Sequence, residues 1–361
     1  MSDTPKRLTD IPTKLSGSMI RHFLKNRYRK TLLRLCKGEK ELPEGSARAR
    51  VVILHGYSKH SDTPDMQNFR HILQRDGKCD LFYCDMPYHG LSVPEGKEYL
   101  RGKIRFFSRL VEAAYALTLR ALSRPYVKPI PTFVVCYSAG GIAFLRFIQE
   151  NPALQKYIAG ACTMALPLRV DHNAGAKIQK WKPYIEGVAR WASYLPYLAD
   201  IPVGDIGVGD LEDKLEFNEK IDLRSAMEMH VASIEAKRAL PIVTMPWLFL
   251  HGAKDRTAPV GDVRDAVGLI KTPIEKKKLI VYPNAEHGLL DGKDGRVDVA
   301  HDFLKWMNEI IEHNAWEHVE YENMADEAME LTSDTYFFIS KRIVQIRKIL
   351  LRWWRKITFQ S

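Results

Sequence analysis

The sequence contains no stretch of about 18 uninterrupted apolar residues, and no short apolar core precedes a small-residue cleavage site at its N-terminus. Neither a membrane-spanning helix nor a secretory signal is expected. Cysteine is sparse: Cys36, Cys79, Cys84, Cys136 and Cys162 form no CxxC pair and lack the density of a disulfide-held scaffold. Reduced thiols and a cytoplasmic location are the matching expectations. Internal repeats and low-complexity tracts are also lacking. His55, His60, His89 and His251 are scattered over loops rather than set at metal-ligand spacings, so neither a metal nor another cofactor is expected.

What is present is ample core material. A hydrophobic share of 45% over 361 residues suffices for one large domain with an insert, or for two domains. The net charge of +10 sits at the ends. Residues 1–38 hold ten Lys and Arg against two Asp, or +8, and residues 341–361 hold seven Lys and Arg without an acid, or +7, which leaves −5 on the 302 residues between them. Two basic arms on a mildly acidic body argue for an anionic surface that meets the ends. Nucleic acid is the weaker partner, because the arms carry no recognised fold for it and lie beside an apolar stripe.

The body alternates two periodicities. Short β-branched and aromatic runs at 51–54, 81–84, 133–135, 158–164, 247–250 and 279–282 read as strands covered on both faces. Helical patterns near 66–75, 98–123, 140–150, 259–270 and 296–312 lie between or after them and suit βαβ crossovers. The fold class is therefore α/β, a doubly wound and mostly parallel sheet. The gap from 165 to 246 is too long for one crossover and is rich in Trp, Tyr, Leu and Pro, so it reads as an inserted helical cap. The expected organisation is a basic N-terminal arm (1–46), a first core part (47–165), a cap (166–240), a second core part (241–312) and a C-terminal extension (313–361).

Chemistry-bearing residues fall at strand ends. The run Phe133–Gly141 passes from a strand into a helix with Ser138 at the apex, the pattern of a nucleophile elbow. Its usual form is G-x-S-x-G; Cys136 takes the first small position here, with slightly more strain expected, and Gly140 the second. Asp255 follows the strand at 247–250 and His287 follows that at 279–282, giving the chain order Ser, acid, His. A serine hydroxyl becomes a competent nucleophile only when a base takes its proton, so His287 is the expected base and Asp255 its orienting carboxylate. The backbone N–H groups of Ala139 and Tyr57 are the expected oxyanion donors.

From about Arg50 to Met307 the chain resembles the lysophospholipase and monoacylglycerol lipase group of the α/β-hydrolase superfamily. The resemblance rests on His55-Gly56 and the following Ser58–Ser61, on Asp85–Ser92, on the elbow at Ser138, on the HGxxD segment ending at Asp255, and on the A-x-H-x-L segment around His287. Cys136 and His89 depart from the group, which has Gly at both places. The resemblance implies hydrolysis of one acyl ester of a monoacylglycerol or lysophospholipid, beneath a cap that covers an acyl tunnel. Trp181, Trp191, Tyr194 and Leu198 are the cap residues expected to shield that tunnel. A serine at the elbow excludes dehalogenase and epoxide hydrolase chemistry, which needs a carboxylate there. Thioester, peptide and acyl-transfer substrates stay open on the same triad, as does a noncatalytic membrane-associated module.

Beyond Asp334, Ile339, Ile343, Ile346, Leu350, Trp353 and Ile357 recur at steps of four and three, with Lys341, Lys348, Arg352, Arg355 and Lys356 opposite. That is the composition of an interfacial helix, and the segment from Met19 to Leu35 has a similar mixture. Peripheral attachment to an anionic membrane through these arms is expected; a helix docked on the body has the same pattern.

Overall fold

The computed structural model of the protein describes residues 46–57, 59–93, 96–124, 129–169, 187–189, 191–195, 197–204, 221–290 and 298–313. Trp181, Ser58, most of the N-terminal arm and the basic segment beyond Asp334 lie outside the described residues.

Six strands form one parallel sheet: β1 (Ala49–Leu54), β2 (Cys79–Tyr83), β3 (Thr132–Tyr137), β4 (Gly160–Met164), β7 (Trp247–Gly252) and β8 (Lys277–Tyr282), in the order β2-β1-β3-β4-β7-β8. A short antiparallel pair, β5 (Pro202–Gly204) with β6 (Ile221–Asp222), stands apart within the inserted stretch. Successive side chains of the inner strands feed opposite faces. Val52, Leu54, Val134, Cys136, Trp247 and Phe249 enter one core cluster, while Val51, Ile53, Phe133, Val135, Leu248 and Leu250 enter the other.

Each face is sealed by helices. The second cluster takes Phe69 and Leu73 from α1 (Pro64–Arg75) and Phe303, Trp306 and Met307 from α6 (Val299–Glu312). The first takes residues of α2 (Ser108–Ser123), α3 (Ala139–Glu150), α4 (Leu223–Ala239) and α5 (Val260–Leu269). The chain leaves β1 through α1 on one face and returns from β2 through α2 on the other, so the direction of winding switches between β1 and β3. Crevices at the carboxyl ends of strands open at such a switch point.

Local chemistry explains the boundaries. Pro64 and Asp65 open α1, where a missing N–H costs nothing and an acid faces the positive helix end. Asp222 caps α4 by accepting from Ser225 N–H at 2.8 Å. Buried Arg50 donates to the carbonyls of Ala121 and Leu122 at 2.8 and 3.1 Å, which the end of α2 leaves open, and to that of Ile130 before β3 at 2.7 Å.

The helix expected over 98–123 is two pieces, a 3₁₀ turn at Glu98–Leu100 and α2. Gly102 takes φ +73° and donates to Tyr88 O, Ile104 N–H donates to Ser225 Oγ, and Phe107 N–H donates to Glu228 Oε2. Tertiary acceptors thus take the bonds that a continuous helix would have made. Within 166–240, the stretch read as cap, α4 lays Met229, Ala232, Ala236 and Ala239 into the core beside α3.

Candidate active site

The carboxyl ends of β1, β3, β7 and β8 share one edge of the sheet, and the loops leaving them meet there. At the end of β3 the chain turns into α3 through Ser138, whose φ of 48° and ψ of −117° lie in the left-handed region that a side chain tolerates only when its surroundings enforce it. The enforcement is visible. Ser138 N–H donates to Met164 O at 2.8 Å, Gly141 N–H donates to Ser138 O at 2.8 Å, and α3 passes so close to β1 that a Cβ at Gly140 would overlap Leu54 O. Cys136, expected to add strain, is an ordinary buried strand residue; the positive φ falls on Ser138 alone of the elbow's non-glycine residues.

His287 Nε2 lies 2.9 Å from Ser138 Oγ, and His287 Nδ1 lies 2.8 Å from Asp255 Oδ2. An ionised carboxylate only accepts, so Nδ1–H donates to Asp255, and Nε2 keeps the lone pair that receives the Ser138 hydroxyl. Asp255 Oδ1 accepts from Thr257 and Ala258 N–H at 2.9 and 2.7 Å, which fixes the carboxylate plane. His251, fully buried, donates through Nε2 to Ala258 O at 2.5 Å and stands 3.6 Å from Asp255 Oδ2. Burial holds the His251 pKa below its ordinary value, so its ring backs the acid as a neutral group.

Two positions without a role in the sequence reading complete this relay. Tyr137 donates its hydroxyl to His287 O at 2.9 Å and stacks on the imidazole at 6.0 Å and 26°. Gly252 lets the acid loop approach the histidine loop: a Cβ there would stand 2.5 Å from Glu286 O, while Lys254 N–H donates to Ala285 O at 3.0 Å. Tyr137 occupies a variable place of the elbow pattern. The face alternation of β3, which turns Tyr137 away from the α2 and α3 side, was the available signal.

The loop after β1 lies against the elbow, with a Cβ at Gly56 only 3.1 Å from Ser138 Cβ. Met86 N–H donates to His55 Nε2 at 2.8 Å, which leaves Nδ1–H to donate to Gly56 O at 2.8 Å. Desolvation lowers the His55 pKa and keeps the ring in that neutral tautomer. With the Gly56 carbonyl so engaged, Tyr57 N–H points to the other side of the trans peptide. Ala139 opens α3 and presents one of the N–H groups that a helix start leaves without an intrahelical acceptor.

The Asp85–Ser92 segment is a loop fastener. Asp85 accepts from Ser61 N–H and Oγ at 2.7 and 2.6 Å and from Leu91 N–H at 2.8 Å. Burial alone would raise its pKa, but these hydrogen bonds outweigh that and hold the carboxyl low. Gly90, at φ +48°, is crowded by Asp85 and His60, so a side chain there has neither the conformation nor the room. His89 lies behind the loop, 5.2 Å from the His55 ring and 5.6 Å from that of Tyr57, and burial lowers its pKa to about 3.

Of the expected tunnel residues, Trp191 and Tyr194 are 67% and 57% exposed, and Leu198 is half-buried. The Arg224 guanidinium lies 3.5 Å over the Tyr194 ring. Among the described residues, no group of three or more His, Cys, Asp or Glu is arranged to hold a metal ion.

The model of the serine aminopeptidase family S33 matches residues 45–294, a stretch that takes in the relay and all six strands. The chain belongs to this family. Among curated relatives, the monoacylglycerol lipase of Mycolicibacterium smegmatis is 24% identical over 283 residues, covering 75% of this chain and 91% of its own length. Two solved structures share the α/β-hydrolase fold. The monoacylglycerol lipase of Paleococcus ferrophilus aligns with a TM-score of 0.55 at 16% identity over 78% of this chain and 99% of its own. A soluble variant of the monoglyceride lipase of Saccharomyces cerevisiae, in complex with a substrate analog, aligns with a TM-score of 0.57 at 16% identity over 76% and 96% of the two chains.

Proposed function

We propose that this S33 member is a serine hydrolase that cleaves the carboxylic ester of a single-chain lipid, a monoacylglycerol or lysophospholipid, through an acyl-serine intermediate. The observation that carries the proposal is the unbroken chain Ser138 Oγ, His287 Nε2, His287 Nδ1, Asp255 Oδ2, with both links under 3 Å. The name and length match of the mycobacterial relative support the substrate class.

Ser138 Oγ bonds to the ester carbon as its proton passes to His287 Nε2, and the carbonyl electrons move onto oxygen, between the N–H groups of Tyr57 and Ala139. Collapse breaks the bond to the alcohol, and His287 returns the proton to the leaving alkoxide. Water, deprotonated by His287, then adds to the acyl carbon; collapse breaks the bond to Ser138 Oγ, which takes the proton back from His287 as the fatty acid leaves. The stretch 166–240 covers the acyl chain, with Trp181, Trp191, Tyr194 and Leu198 on its path. The basic arms hold the protein at the cytoplasmic face of an anionic membrane, where each Lys or Arg near the lipid adds about 1 kcal/mol.

The test is labelling of Ser138 by a fluorophosphonate, followed by a panel of monoacylglycerols, lysophospholipids, acyl-CoAs and acetyl esters. C8–C16 monoesters should exceed acetate in kcat/KM, since each buried methylene contributes about 0.8 kcal/mol until the site is filled. Acetate matching the long chains would remove the tunnel. A peptide substrate is the second reading, favoured by the family's description as an aminopeptidase, and aminoacyl arylamides in the same panel decide it. Sedimentation with anionic vesicles, with and without residues 333–361, tests the membrane arm; equal binding by both forms would remove it.

A further inference from the structure

The peptide unit assigned to the oxyanion is held at one end by His55, which takes the Gly56 carbonyl. Its other end is held from farther away. The Tyr57 side chain packs against the core, with its ring edge-on to His89 at 84°, and its hydroxyl donates to Gly102 O and meets the hydroxyl of Ser225. Neither partner belongs to the catalytic edge of the sheet. Gly102 lies in the segment before α2, and Ser225 is a fully buried residue in the first turn of α4.

That junction is itself heavily bonded. Ser225 Oγ accepts from Ile104 N–H at 2.8 Å, Asp222 pairs with Arg105 at 3.1 Å, and Arg105 also pairs with Asp200. Arg224 donates to Arg105 O at 2.9 Å, and Leu223 N–H donates to Ile201 O at 2.8 Å. The segment 101–107, the strip 199–203 and the start of α4 therefore form one polar knot at the base of the inserted stretch. The Tyr57 hydroxyl enters that knot from the site side.

We propose that the Tyr57 phenol is a positioning group for the oxyanion hole, fastening the loop after β1 to this knot so that Tyr57 N–H keeps its aim as charge develops. The inference rests on the serine-hydrolase reading above. An oxyanion donor works only within about 2.7–3.1 Å of the developing charge, and a misplacement on the order of 1 Å can cost about 100-fold. A loop peptide has no ladder of its own to hold that distance. His55 fixes the Gly56 carbonyl and the phenol fixes the Tyr57 side chain, so the peptide unit that joins the two residues is anchored from both sides.

The experiment uses Tyr57→Phe in the full chain, which keeps the ring and the backbone N–H and removes only the hydroxyl. Its readouts are kcat and KM on a monoester, and affinity for a monoacyl trifluoromethyl ketone. In that adduct Ser138 Oγ bonds to the ketone carbon, the proton goes to His287 Nε2, and the carbonyl oxygen becomes the anion. The expected result is a fall in kcat on the order of 10- to 100-fold, a parallel loss of ketone affinity and a KM within about twofold of wild type. Ser225→Ala, which leaves the loop untouched, should act in the same direction, and the double variant should be less than additive. Unchanged kcat and ketone affinity with only a lower melting temperature would overturn the inference, as would a raised KM at constant kcat or strict additivity. Wild-type protein that neither turns over esters nor takes the ketone would instead overturn the parent reading, and this inference with it.

Discussion

Ser138 sits at a backbone conformation that Gly140, Met164 and Leu54 impose, so removing its hydroxyl should leave the elbow standing. Ser138→Ala and His287→Ala are each expected to lower kcat on the order of 10⁴- to 10⁶-fold with circular dichroism unchanged, and Asp255→Asn about 10⁴-fold. Near-normal turnover by folded Ser138→Ala would sink the mechanism. The three side chains linked in series through His287 were each named from the sequence, because a hydroxyl, an imidazole and a carboxylate at three strand ends are types the chemistry requires. Tyr57 and Ala139 were named for backbone groups, which almost any residue supplies, so their identity carried no signal. The partner of Tyr137, the role of Gly252 and the fastening role of Asp85 were illegible for a different reason. Their partners lie 150, 33 and 24 positions away, and only the folded sheet brings them together.

The same contrast holds for the elements. All six parallel strands were read to within about two residues, since short apolar β-branched and aromatic runs have few alternatives. The break between Leu100 and Ser108 was hidden, because Ile104 and Phe107 give their N–H groups to α4, more than a hundred residues on. The start of α4 is consequently the element end with most attached to it. Asp222→Ala removes both its cap and a partner of Arg105, and should destabilise the protein by about 1–2 kcal/mol in urea titration. Asp222→Asn keeps the cap and should cost less. Equal losses would assign the effect to the ion pair rather than the helix end.

For the molecule as a whole, the buried neutral histidines set the acid limit. His55, His89 and His251 all have pKa values lowered chiefly by burial, His89 to about 3, against about 6.5 unfolded. Below pH 6.5 the unfolded chain therefore binds protons that the folded chain refuses, and stability is lost as pH falls from about 6.5 toward 3. Each such group adds up to about 1.4 kcal/mol per pH unit. Asp85 acts in the same direction only below about pH 4, Glu150 opposes with its raised carboxyl, and His301, held protonated by Asp298, acts above about pH 6.5. Urea midpoints at pH 7, 6 and 5 should fall steadily, and His89→Gln should flatten the slope; a flat wild-type profile would refute this. The sheet order has one more consequence. β8, from which His287 hangs, pairs with β7 alone among the described strands, and none of its residues is fully enclosed. Opening of that margin separates the imidazole from Ser138 while five strands stay paired, a sub-global event that amide exchange along Lys277–Tyr282 would detect. In urea, catalysis should then vanish before far-ultraviolet ellipticity does, so that an activity assay reports the fraying of one outer strand and overstates the fragility of everything inside it.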